Sequence, residues 1–187
     1  MTLFEYLAIA FSLLYSLAAL RLLGGLSSAL ERGRRHPLHL GLCVVLLFMV
    51  TISFWVFWSL RTVEWTFAGF LAALAIPGTL YYSAAALIPE NPADVASWQA
   101  YYFNVHRQVF SGLALWALAA ATSASLNLGM GLAHPARIVH VTALSIGVTG
   151  AVSSSHRVHS ALLSLMGILM FGTLVMHIGP DWLVRPS

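Results

Sequence analysis

The chain has no lysine, a single cysteine and few charges of either sign, with nine arginines and six acidic residues among 187. Without lysine, neither a Schiff base nor a phosphate-gripping P-loop can form, and Gly-x-Ser-x-Gly and His-Glu-x-x-His motifs are also missing. Nothing therefore points to nucleotide use. Cys43 falls within an apolar run, which excludes a disulfide framework and a thiolate zinc site and makes it a small core residue. Charged residues make up only 8% of the chain, against roughly a quarter in soluble domains. Lipid is the expected solvent. The formal charge of +3 does not indicate nucleic acid, because most arginines lie near the ends of apolar runs, where anionic headgroups attract them.

Apolar stretches take up most of the remainder: 59% of residues are hydrophobic and the mean hydropathy is +0.84. Stretches of ~20 residues are long enough to cross a bilayer. Residues 3–23, 40–60, 67–87, 108–128, 136–153 and 160–176 read as spans. The fold class is all-α, a polytopic transmembrane bundle of about six spans forming one membrane domain over residues 1–187, with no room for an appended soluble domain. The first stretch carries Glu5 where a secretion signal would be basic, so it reads as a retained anchor.

Arginine placement predicts orientation, since arginines are retained on the cytoplasmic side. Arg32, Arg34, Arg35, Arg107 and Arg157 fall on one side, and Arg61, Arg137 and Arg185 on the other. The larger group predicts a cytoplasmic face and periplasmic N- and C-termini. Between spans three and four, Pro89 and Pro92 make a turn, Asp94 is placed to cap a helix starting at Val95, and that helix should lie at the interface before entering the membrane. Trp98, Tyr101 and Tyr102 are its expected headgroup anchors, with Trp55, Trp58 and Trp65 as the belt on the opposite face. Arg21 and Glu5 sit near the two ends of span one, where each can snorkel to headgroups.

Matched fragments hint at a duplication. Phe11-Ser12 recurs as Phe110-Ser111, His36-Pro37 as His134-Pro135, and Gly78-Thr79-Leu80 as Gly172-Thr173-Leu174. With three spans per unit, the second copy would be inverted, a 3+3 arrangement that places a pathway near the midplane. Pro77 and Gly78 should kink or break span three, with Tyr81 and Tyr82 beyond them as pathway candidates. Ala143, Gly147, Ala151 and Ser155 form a ladder of small side chains that suits close helix packing, within one chain or in a homo-oligomer.

Eight histidines are many for so apolar a chain. His36, His39, His106, His156 and His159 gather at the arginine-rich face and include two His-x-x-His pairs, while His140 and His177 should lie at similar depth on adjacent helices at the other face, near His134 and Asp181. Two readings stand side by side. Interfacial histidines bond to headgroups, water and carbonyls, which calls for no cofactor; facing imidazoles can also ligate a metal ion or haem.

The aromatic segment from Phe54 to Phe67, with Trp55, Phe57, Trp58 and Trp65, followed by Tyr101, Tyr102 and Phe103, resembles an uncharacterised family of small bacterial multipass inner-membrane proteins. The resemblance runs through most of the chain. It implies a bacterial inner-membrane location and a helical bundle, but supplies no activity and no site residues. No catalytic residue is assigned. The function expected is small-solute or ion permeation, transport or a related sensing role. The alternatives are a histidine-ligated metal or haem protein of redox or hydrolytic type, and a packing subunit whose only partners are lipid and other helices.

Overall fold

In a computed structural model the described residues are 3–30 and 35–178, side chains being described as far as residue 175. They form six α-helices: α1 (Leu3–Ala29), α2 (Pro37–Phe57), α3 (Phe67–Leu87), α4 (Trp98–Leu128), α5 (Arg137–Val152) and α6 (His156–Ile178). Five are long and apolar enough to cross a membrane. The chain is a multipass membrane helical bundle. The exception is α5, whose 16 residues reach only ~24 Å at 1.5 Å per residue, short of a ~30 Å hydrocarbon core.

Local chemistry sets the helix ends. Pro37 opens α2 at a position where its missing N–H costs nothing. Thr66 caps α3, its hydroxyl accepting from the Gly69 amide at 3.0 Å. Gly129 closes α4 with φ of 62°, a left-handed conformation that glycine adopts without a Cβ penalty. The expected helix start at Val95 is corrected: Pro92–Asp94 forms a 3-10 turn, and Ser97, not Asp94, caps α4 by accepting from the Ala100 amide at 3.3 Å. From Trp98 the helix runs unbroken to Leu128, so the stretch expected at the interface and span four form one element. Its 31 residues span ~46 Å at 1.5 Å per residue.

Two expected anchors are also corrected. Trp98 and Tyr102 are buried inside the protein, with only Trp55 and Trp58 of the named aromatics strongly exposed. The first turns of α4 are covered by α1 and α2, where Ala29 and Leu40 pack on Trp98, so the rings fill a protein core and not a headgroup layer. Arg21 likewise turns inward, donating from Nη2 to the Ile88 carbonyl at 3.0 Å and closing the end of α3.

The bundle is held chiefly by α4, which packs against α3 and α5, while α1 lies against α2 and α3 and α6 lies mainly on α2. Small residues set these approaches. A Cβ on Gly147 would stand 2.6 Å from the Ala114 amide nitrogen, and one on Gly150 would enter the Phe110 ring. Of the predicted ladder Gly147 makes such a contact, Ala151 packs half-buried against the core, and Ser155 is exposed. Hydrogen bonds across α3 and α4 replace the hydrophobic drive that lipid removes. Ser83 Oγ donates to the Val109 carbonyl at 3.2 Å, Asn127 to the Gly69 carbonyl at 3.0 Å, and Tyr101 to the Ala86 carbonyl at 3.0 Å.

Helix α3 passes Pro77 as one continuous element. The Thr79 hydroxyl lies within reach of the Ala75 carbonyl at 2.8 Å and the Ile76 carbonyl at 3.0 Å, bonding backbone acceptors in the proline turn. Of the expected kink or break, the break is absent.

Candidate binding cavity and histidine cluster

One end of the bundle collects the C-terminal ends of α1, α3 and α5 and the N-terminal ends of α2, α4 and α6. Alternating helix direction carries the five histidines of the arginine-rich face there. His36 stands 5.9 Å from His156 between ring centres and 5.7 Å from Tyr102. His106 stands 5.3 Å from His159. The imidazoles thus pair between helices and not within each His-x-x-His.

His159 is fully buried and ties three elements together. Its Nε2 faces the Ser153 carbonyl at 2.7 Å, which can only accept, so the proton resides on Nε2. Nδ1 then accepts from the Tyr102 hydroxyl at 2.6 Å. Both nitrogens are committed. His106 donates from Nδ1 to the Phe103 carbonyl at 2.6 Å, which leaves Nε2 as its acceptor. His39 is also fully buried but stacks on Trp98 at 4.4 Å, and neither of its nitrogens has a hydrogen-bond partner among the described residues. His36, just before α2, has its pKa held below the ordinary 6.5 by burial and then by the charge His156 would carry. Among the described residues no three His, Cys, Asp or Glu side chains converge as a metal-binding group. The sequence placed these five histidines at one face; it could not show which rings meet.

Toward the opposite end the helices part around a cavity of about 480 Å³, lined by α2 to α6 with Tyr15 of α1. Its size falls within the ~300–1,000 Å³ range of small-molecule sites. The room comes from short side chains on facing helices, Ala73 on α3, Ala120 and Ala124 on α4 and Ala143 on α5. Gly147 and Gly150 draw α5 onto α4, and the space is bounded by those two helices together with α2, α3 and α6. Met49, Met166 and Met170 supply adaptable apolar walls, and no Arg, Asp or Glu lines it.

Two residues of this lining carry an unpartnered polar atom that is covered by protein and not presented to the cavity. Trp116 Nε1 and His140 Nδ1 are both buried without a hydrogen-bond partner among the described residues. Trp116 was not singled out by sequence reading; a tryptophan in mid-span, away from either aromatic belt, was the available signal. Of the pathway candidates, Pro77 is buried, Tyr81 and Tyr82 are exposed, and none of Pro77, Gly78, Tyr81 or Tyr82 lines the cavity, which meets α3 at Ala73 and Ile76. His140 does line it, as does Thr173, four residues before His177 on α6. The side chain of His177 and all of Asp181 and Arg185 lie outside the described residues. His134 lies exposed in the loop before α5, where its Nδ1 accepts from the Ala136 amide at 3.2 Å.

No protein-family model matches the chain, and no curated protein or solved structure matches it.

Proposed function

We propose that this multipass membrane protein takes a small apolar molecule into the cavity lined by α2 to α6, in the service of permeation or of sensing that molecule within the membrane. The observation that carries the reading is the cavity itself, about 480 Å³ of apolar space in a bundle that is otherwise tightly packed around Phe11, Leu46, Leu80 and Phe110. An apolar cavity of this size favours a solute that partitions into lipid over an inorganic ion, for which no charged ligand lines the space. The arginine distribution and the family resemblance support a bacterial inner membrane with the histidine end in the cytoplasm.

The test uses the full chain in lipid nanodiscs with the neutral fluorophore 1-aminoanthracene. Saturable binding that Ala143→Phe removes, with helicity and monodispersity kept, is the expected result. Only unsaturable partitioning, or binding that ignores the added ring, sinks the reading.

A second reading rests on His140, which lines the cavity together with Met166 and Met170. Imidazole and thioether are both haem-ligating groups, and His177 lies on the neighbouring helix. An absorbance spectrum of untagged protein purified without chelators decides it: a Soret band lost in His140→Ala supports haem, and a colourless preparation removes it.

A further inference from the structure

The cavity has a length as well as a volume. Its lining runs along α2 and the turn beyond it from Val45 to Leu60, and along α4 from Leu113 to Leu128. Each stretch rises ~22 Å at 1.5 Å per residue. Spread over that length, a volume of about 480 Å³ has a mean section of only ~22 Å². Packed hydrocarbon carbons stand ~4.0–4.5 Å apart, so such a section is the width of one extended alkyl chain.

The two ends of this slot differ. At the inner end the lining residues Val45, Leu113, Ile146 and Met166 are all buried, and Gly147 against the Ala114 backbone joins α5 to α4 at that level. At the end away from the histidine cluster, the lining residues Val56, Ser59, Leu128 and Val139 are exposed. Exposure therefore rises along the slot, from a blind end within the bundle to a mouth at the last turns of α2 and α4 and the first turn of α5.

Charge belongs at the mouth and not inside. No Arg, Asp or Glu lines the space, so a charged head drawn inward would lose its hydration without gaining a counter-charge. Lipid tails are as apolar as leucine, which means that an occupant taken from the bilayer is selected by length and width and not by apolarity alone.

Resting on the proposed apolar-ligand reading, we infer that the occupant is one linear alkyl tail of a bilayer amphiphile, inserted methyl end first, with its head left at the mouth. At ~1.3 Å per methylene, the projection of a carbon–carbon bond along an extended zigzag, about sixteen carbons fill most of the length.

The experiment is photolabelling of the full chain in nanodiscs, with labelled residues located by mass spectrometry. The probes are hexadecanoic acid with a diazirine beside the terminal methyl, the same acid with the diazirine near the carboxyl, and dodecanoic acid with a terminal diazirine. The first should label Leu113, Ile146 or Met166 and the second Leu128 or Val139, each competed by unlabelled hexadecanoic acid. The dodecanoic probe should stop short of the inner residues. Ala143→Phe, with helicity kept, should abolish inner labelling. The phosphatidylcholine ester of the first probe identifies the source: inner labelling by ester and acid assigns the slot to tails of bilayer lipids, and labelling by the acid alone assigns it to single-chain amphiphiles. Labelling of the same residues by both diazirine positions, or labelling confined to the exposed Leu115 and Leu118 of α4, overturns the alkyl-tail inference. Saturable 1-aminoanthracene binding in that same protein would leave the cavity reading standing, and its absence would overturn both.

Discussion

At the scale of single residues, two fully buried histidines separate cleanly by what their nitrogens do. His159 satisfies a carbonyl and a hydroxyl, whereas His39 satisfies nothing among the described residues and contributes a ring stacked on Trp98. Removing His159 orphans two buried groups at roughly 1–3 kcal/mol each. His159→Phe should therefore lower the unfolding temperature in detergent by many degrees, Tyr102→Phe by less, and the double variant by less than the sum. His39→Phe should be neutral or stabilising, because an aromatic ring without polar atoms keeps the stacking and removes the desolvation cost. A larger loss in His39→Phe than in His159→Phe would show that these bonds carry no weight. The depressed pKa of His36 gives a second expectation. Its unfolded form binds a proton near 6.5 and its folded form only at lower pH, so folding is favoured above that range and loses stability as pH falls below it. Unfolding temperature should drop between pH 7 and pH 5, and less so in His36→Leu; an identical pH profile in the variant would assign the effect elsewhere. None of this was legible in sequence, since His36-x-x-His39 and His156-x-x-His159 look alike as spacing and differ only in which foreign helix each ring meets.

At the scale of helices, the apolar runs located the elements well because a membrane span is a property of local hydropathy. Expected spans at 67–87 and 136–153 differ little from α3 and α5. The start of α4 was misplaced because Asp94 and Ser97 are both good caps, and only Ser97 has three further amides in helical register behind it. The small-residue ladder picks out Gly147, and Gly150, outside the ladder, makes a second close approach to α4 three residues on. The glycines yield a direct comparison. Gly147→Ala must push α5 off the Ala114 backbone and should cost about 1–3 kcal/mol, the range of overpacking penalties seen in cores. Gly78→Ala meets nothing within 4 Å and should be neutral or gain up to about 1 kcal/mol from helix propensity. Thermal unfolding of the two variants side by side checks this, and a tolerated Gly147→Ala would mean that α4 and α5 do not sit this close.

For the whole molecule, the two ends of the bundle differ in kind. One is closed by buried imidazoles and aromatic rings around Trp98, Tyr102 and His159; the other surrounds an apolar cavity lined by α2 to α6. Sequence could place charges at the two faces but not this difference, because a cavity arises where Ala73, Ala120 and Ala143 from three separate helices face one another. Which end meets the cytoplasm decides whether a ligand would enter from the periplasmic half of the bilayer. Counted along the sequence, five arginines are expected on the histidine side and three on the other, and on the proposed orientation the cavity faces outward. Because the single cysteine, Cys43, is buried, introduced cysteines report alone. Leu132, 90% exposed in the loop between α4 and α5, should react as Leu132→Cys with a membrane-impermeant maleimide on intact cells. Glu90→Cys, at the exposed turn beyond α3, should react only after permeabilisation. The reverse pattern would invert the protein and turn the cavity toward the cytoplasmic leaflet, and labelling of both sites on intact cells would mean that the arginine margin is too small to fix one orientation.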